Sequence, residues 1–296
     1  MNDKTTREEL LEELRRYTGL KIEITEDGQQ SEDEVLSVLS MFVRPYKNQD
    51  DKAGFFRGLL EQTLSGEAEA SGRMRYHLSE DTVFALFLMY FPQGYDEAAG
   101  EIIKGLSDGG DVIIEWDDAH LILIKEMRSV VSQARLKEKA SEIADTLSAD
   151  AMIPVLLSFD ETKQGISRLG EAYRNAVTAE IFGRQFSSTA RISFYRELGL
   201  GKLVSRLSEE DCREYISEQL GDFRFDSLDD EMSETIRMFF DTGLSIAETA
   251  RRLFIHRNTL LYRLEKFEKR SGLDLKKFDD AVAARLAMFM EVVIDS

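Results

Sequence analysis

The segment 82–90, TVFALFLMY, restricts this chain more than any other. Between its threonine and its tyrosine every residue is apolar. A strand sends successive side chains to opposite faces, so this one needs cover on both, as strands inside α/β layers do. Nine residues are too few to cross a bilayer as a helix, which takes about 20. The spacing around this run alternates between strand and helix periods. It predicts helices over 53–65, 95–106, 129–147 and 161–185. It predicts strands over 112–116, 121–125, 152–159 and 191–195. The second and third strands join through the tight turn Asp117-Asp118-Ala119-His120, and Pro154 marks the following strand as an edge or a bulge. The order β-α-β-β-α-β predicts an α+β fold with a ferredoxin-like sheet, the helices lying on one face through right-handed crossovers.

On either side of this middle region, 53–207, the pattern changes. The first 50 residues read as a small α/β unit of unknown role. Thr6 and Glu9 fit a capping box ahead of Leu10, Leu11 and Leu14. Residues 21–25 alternate as a strand, and Ser31 and Glu34 open a second helix. Pro45 and the polar run 47–52 read as a linker. From 208 onward the chain is predicted all-helical, with helices over 209–220, 226–243 (closed by Gly243) and 278–293, and a close helix pair between the last two.

Composition closes several functional classes. One cysteine, Cys212, excludes an internal disulfide framework. Its acidic neighbours Glu209, Glu210, Asp211 and Glu214 disfavour a reactive thiolate. His77, His120 and His256 stand far apart, so no zinc spacing exists, and no metal or cofactor is expected. No leader or membrane segment is read, which predicts a cytoplasmic protein with no membrane partner. The net charge of −18 argues against nucleic acid on average. The distribution argues otherwise. Between Arg251 and Lys277 nine Lys/Arg face three acids, a local +6 that leaves −24 for the rest.

That basic window lies in LSIAETARRLFIHRNTLLYRLEKFEKRSGLDL, residues 244–275. Ser245 and Glu248 form a capping box. Ile246, Ala247, Ala250, Leu253 and Phe254 share one helical face. A second helix, starting near His256 or Arg257, turns Leu260, Leu261, Leu264 and Phe267 inward. Two short helices across a tight turn predict a helix-turn-helix. The outer face of the second then exposes Arg257, Asn258, Thr259, Tyr262, Arg263, Lys266 and Arg270, donors suited to phosphates and base edges. Alanine at Arg257 or Arg263 is expected to abolish operator binding and leave the fold intact. The competing expectation is a solvated basic face in an ordinary helical bundle.

The run from Ala247 to Leu264, with the trailing Gly272-Leu273-Asp274-Leu275, resembles the C-terminal helix-turn-helix of the PucR/CdaR family of bacterial transcriptional regulators. The resemblance implies a sequence-specific regulator, often an activator, that binds double-stranded operator DNA as a homodimer or higher oligomer. It implies DNA contacts at His256, Arg257, Asn258, Thr259, Tyr262 and Arg263. Upstream, Tyr173-Arg174-Asn175-Ala176 and Phe194-Tyr195-Arg196-Glu197-Leu198-Gly199-Leu200 resemble the end of the family's GGDEF-like middle domain, similar in fold to diguanylate cyclases. The first 50 residues do not match the family's longer sensory domains, so the small-molecule effector has no identity here.

A cyclase holds two metal ions with carboxylates on its first strand and hairpin, and uses hairpin glycines for close backbone approach to the nucleotide. The strand 83–90 has no carboxylate, and the hairpin Asp117-Asp118-Ala119-His120 has no glycine. Gly109-Gly110-Asp111 precedes the strand and reads as a turn. No catalytic residue is expected. The alternative function, a nucleotide-binding or nucleotide-processing enzyme with a helical appendage, is separable by GTP turnover with magnesium or manganese.

Overall fold

A computed structural model describes residues 52–150, 153–186 and 191–295, together with Leu11, Arg15, Val35 and Leu39. The expectations for the N-terminal unit fall outside the described residues. The described chain divides into two compact units. One holds the described residues up to Val155 plus Phe159–Arg174; the other holds Leu156–Ser158 and the described residues from Asn175 on.

In the first unit, helix α1 (Lys52–Glu61) buries Phe55, Phe56, Leu59 and Leu60. The apolar run is strand β1 (Val83–Tyr90), buried along seven of its eight residues, and Phe56 meets Phe84 edge-on at 5.8 Å. Strand β1 pairs antiparallel with β3 (His120–Met127), which pairs with β2 (Val112–Asp117). Asp117 sits opposite His120, so the hairpin loop is only Asp118-Ala119. The Asp117 carboxylate accepts from the Ala119 amide and faces the His120 ring at 2.8 Å. These partners outweigh desolvation and hold the Asp117 carboxyl below its usual range.

The expected helices exist with shifted ends. Between β1 and β2 lies α3 (Glu97–Gly105), capped by Asp96, and after β3 lies α4 (Gln133–Asp150). Helix α2 (Gly66–Arg75) has no counterpart in the expected pattern, because its sequence GEAEASGRMR is mostly exposed and lacks an apolar stripe. Its start is fixed by Ser65, whose hydroxyl accepts from the Ala68 amide.

Three expectations are corrected. The strand expected over 152–159 is β4 (Leu156–Phe159), which begins beyond Pro154 because proline brings no amide to a ladder. Pro154 therefore stands ahead of the strand and makes no bulge in it, and the last strand, β6, spans Ile192–Phe194. The helix expected over 161–185 is in fact a two-residue strand, β5 (Lys163–Gln164, paired with β1), one 3-10 turn, and then α5 (Leu169–Phe186). Gly165, at φ +81°, separates them in a conformation that only glycine adopts freely.

The second unit continues with α6 (Leu200–Val204), α7 (Glu209–Leu220), α8 (Asp230–Asp241), α9 (Ile246–Arg252), α10 (Arg257–Ser271) and α11 (Phe278–Ile294). The single helix expected over 226–243 is split. A 3-10 turn spans Phe225–Ser227, and Asp229 then caps α8 through the Met232 amide at 2.8 Å. Cys212 is fully buried on α7, and its thiol is pushed up first by burial and then by Asp211 and Glu209. No helix among the described residues is long and apolar enough to cross a membrane.

Candidate nucleic-acid interface

Helices α8, α9 and α10 build one platform on a shared apolar core. Leu260, Leu264 and Phe267 of α10 are buried with Met232, Ile236 and Phe239 of α8 and Ala250 of α9. The spacing 260, 264, 267, 271 is one helical stripe. The opposite stripe therefore faces out and contains Asn258, Tyr262, Glu265 and Lys269, all exposed.

Both turns of the platform are set by backbone chemistry. Helix α8 closes with paired bonds from the Gly243 amide to the Phe240 carbonyl and from the Leu244 amide to the Phe239 carbonyl. This Schellman closure needs a left-handed residue, supplied by Gly243 at φ +64°. Ser245 then caps α9 through the Glu248 amide, and the Thr242 and Thr249 hydroxyls meet at 2.6 Å across the corner. Helix α9 closes in the same way, from Phe254 to Arg251 and from Ile255 to Ala250. Here the left-handed position is Phe254, at φ +54°.

His256 caps α10, its Nδ1 accepting from the Asn258 amide at 3.2 Å. The sequence alone predicts it as a DNA contact. A capping role was hidden because serine, threonine, aspartate and asparagine are the usual signals. Gly272, left-handed at φ +78°, ends the helix; a Cβ there would meet nothing, so its backbone conformation is what calls for glycine.

The eight residues read as DNA contacts divide into two groups. His256, Arg257, Asn258, Thr259 and Tyr262 are exposed, Tyr262 to 68%. Arg263, Lys266 and Arg270 lie on the flank of α10 that turns toward the entry to α8. Arg263 donates to the Thr235 hydroxyl at 2.9 Å and pairs with the Glu231 carboxylate. Its side chain is only 15% exposed, which corrects its placement on the open outer face. Lys266 stands 3.9 Å from Asp229. Arg270 donates to the Ser227 carbonyl and hydroxyl at 3.1 and 3.2 Å. The sequence hid this because the partners lie about 30 to 40 residues upstream, beyond any local spacing rule.

Other cations of the window are also paired. Glu248 takes Arg251 at 2.7 Å and Arg252 at 2.8 Å. Hydrogen bonds from Arg251 and then Arg252 lower the Glu248 carboxyl to about 2, so this cluster keeps its charges at any ordinary pH. Lys276 and Lys277 lie near Asp274. Among the described residues, no ion pair forms at Arg257 or Lys269. Exposed pairs are individually weak, at about 0–1 kcal/mol, so phosphates can displace them. Among the described residues, no group of three or more His, Cys, Asp or Glu is placed to hold a metal ion.

Comparison with known proteins agrees with this geometry. The family model described as the PucR C-terminal helix-turn-helix domain matches residues 232–289. The purine catabolism regulatory protein of Bacillus subtilis is 27% identical over 190 residues, 62% of this chain and 33% of that protein. The carbohydrate diacid regulator of Escherichia coli is 31% identical over 133 residues, 44% of this chain and 33% of that protein. The chain thus spans about a third of the length of these relatives. A regulator of polyketide synthase expression from Bifidobacterium adolescentis aligns over 97% of both chains, but its TM-score of 0.39 and 15% identity are too low to transfer its fold. Residues 232–289 thus match the PucR-type helix-turn-helix domain, and parts of the chain are similar to these two regulators.

Proposed function

We propose that this chain is a sequence-specific DNA-binding transcriptional regulator that lays α10 in the major groove of an operator. One observation carries the reading. The exposed stripe of α10, with Arg257 beside its start, presents free donors on a rigid platform that matches a helix-turn-helix family. Both relatives named above are regulators by name. In this reading Arg257, Asn258, Thr259 and Tyr262 meet the DNA directly, and Lys269 meets a phosphate. Arg263 holds α10 against α8. Lys266 and Arg270 exchange Asp229 and Ser227 for phosphates. A homodimer sets two such helices about 34 Å apart, one turn of the duplex.

Residues 208–296 form the DNA-binding part of this proposal. Residues 53–207 form a GGDEF-like, ferredoxin-like domain that serves regulation or oligomerisation, in a cytoplasmic protein that answers a small-molecule effector. Gel mobility shift across salt tests the reading. Affinity for a duplex selected by the full chain from a random pool should fall by at least tenfold between 50 and 200 mM salt, because phosphate contacts release counterions. Salt-independent binding, or none, would leave a regulator that works through protein contacts.

The enzyme reading predicts GTP turnover. Strand β1 reads VFALFLMY, without a carboxylate to hold a metal, and the hairpin loop Asp118-Ala119 has no glycine. The expected result with magnesium or manganese is no product above the protein-free rate; turnover would restore the enzyme reading.

A further inference from the structure

Phe254 is the most conspicuous exposed residue of the helix-turn-helix. The residue is 96% exposed, and its backbone sits at φ +54°. For a residue with a Cβ the left-handed region is unfavourable, and bulky residues are rare there. The same closure on α8 uses Gly243 for this position. Leu244 is also left-handed, at φ +63°, but it packs against the core. In the closure of α9, Ile255 supplies the inward apolar contact, so the motif itself asks nothing of the side chain at 254. A glycine would close the turn without strain. The phenylalanine gains no burial within the chain, which corrects the expectation that it shares one helical face with Ile246, Ala247, Ala250 and Leu253. Strain held at an exposed position points to a role in recognition.

The surroundings select the occupant. Arg251 and Arg252 precede Phe254, and the cap His256 and Arg257 follow it; all four are exposed. A protein surface that buried the ring would also have to desolvate these guanidinium groups. Duplex DNA offers phosphates to the arginines and, in the major groove, one apolar feature, the 5-methyl group of thymine. We propose that Phe254 is a specificity residue that packs its ring on a thymine 5-methyl at the edge of the site read by α10. This rests on the DNA-binding reading above, because the ring reaches a base only if the start of α10 enters the groove.

The test uses the full chain, its selected duplex, and the same duplex with deoxyuridine in place of thymidine, which removes only the methyl groups. The variants are Phe254→Asn and Phe254→Gly, both at ease in the left-handed region, so neither should melt below the parent. The parent should bind the deoxyuridine duplex several-fold more weakly. Each variant should lose about tenfold on the thymidine duplex, with an unchanged salt slope, and most of the discrimination between the duplexes should vanish. Unchanged affinity in the variants would overturn the proposal. So would a loss that leaves the thymidine preference intact, which means packing on sugar. A change of oligomeric state by sedimentation would also overturn it, in favour of a protein interface. A parent that binds no duplex fails at the underlying reading, and that failure is distinct because it appears before any variant is made.

Discussion

Replacing Arg257 with alanine lowers affinity for the selected duplex by about ten- to hundredfold and leaves thermal unfolding unchanged. A bidentate contact to a base edge contributes roughly 1–3 kcal/mol of discrimination, and a phosphate contact adds about one to the salt slope. Arg257 is exposed at the first position of α10 and forms no ion pair among the described residues, so its removal costs the fold nothing. Arg263→Ala behaves differently. Arg263 bonds the Thr235 hydroxyl and pairs with Glu231, and Thr235 is fully buried. Loss of these bonds lowers stability by about 1–3 kcal/mol and shifts α10 on its platform. Arg263→Ala therefore reduces both the melting temperature and the affinity, whereas the sequence expectation was an intact fold. Thermal melts and mobility shifts on the two variants separate the roles. Equal melting of Arg263→Ala and the parent would return Arg263 to the DNA-contact group.

Phe267→Ala destabilises the second unit by about 3–5 kcal/mol, the range for losing a buried aromatic ring. Phe267 is fully buried on the inner stripe of α10, with Phe223 at 5.6 Å in edge contact and Phe225 at 5.9 Å. Small rearrangements cannot fill the space, since rings from two further positions close around it. A domain is stable by only 5–15 kcal/mol in total. The melting temperature should fall by roughly ten degrees, and DNA binding should fail well below the parent's melting point. Urea unfolding gives the free energy. A loss under about 1 kcal/mol would mean that this ring does not anchor the platform.

Much of the helical part was legible because its signals are local. Helix α7 (Glu209–Leu220) was read to the residue, and the Ser208 hydroxyl accepts from the Asp211 amide at its start. The inner stripe Leu260, Leu264, Phe267 was read from 3.6-residue spacing and is buried. Strand β1 was read from continuous apolarity and is buried along nearly its whole length. The misses share a cause. Helix α2 has no apolar face, so periodicity could not find it. The split at Gly165 depends on one backbone angle and on a two-residue pairing with β1 that lies 80 residues away.

The candidate site divides along the same line. The sequence by itself determined a helix-turn-helix and its acidic surroundings, because capping, apolar spacing and charge are properties of neighbouring residues. It also listed the donors on α10. Which of those donors stand free was decided only by the tertiary structure. Arg257 is exposed and forms no ion pair among the described residues, while Arg263, Lys266 and Arg270 meet residues 227–235; Lys269, equally exposed, is not among those donors. The tertiary structure also decided that Phe254 points outward, since its orientation follows from a left-handed turn that spacing rules do not encode. The physical reason is range: stripes and caps follow from a few residues, while pairing across 30 or more residues exists only once the helices have packed.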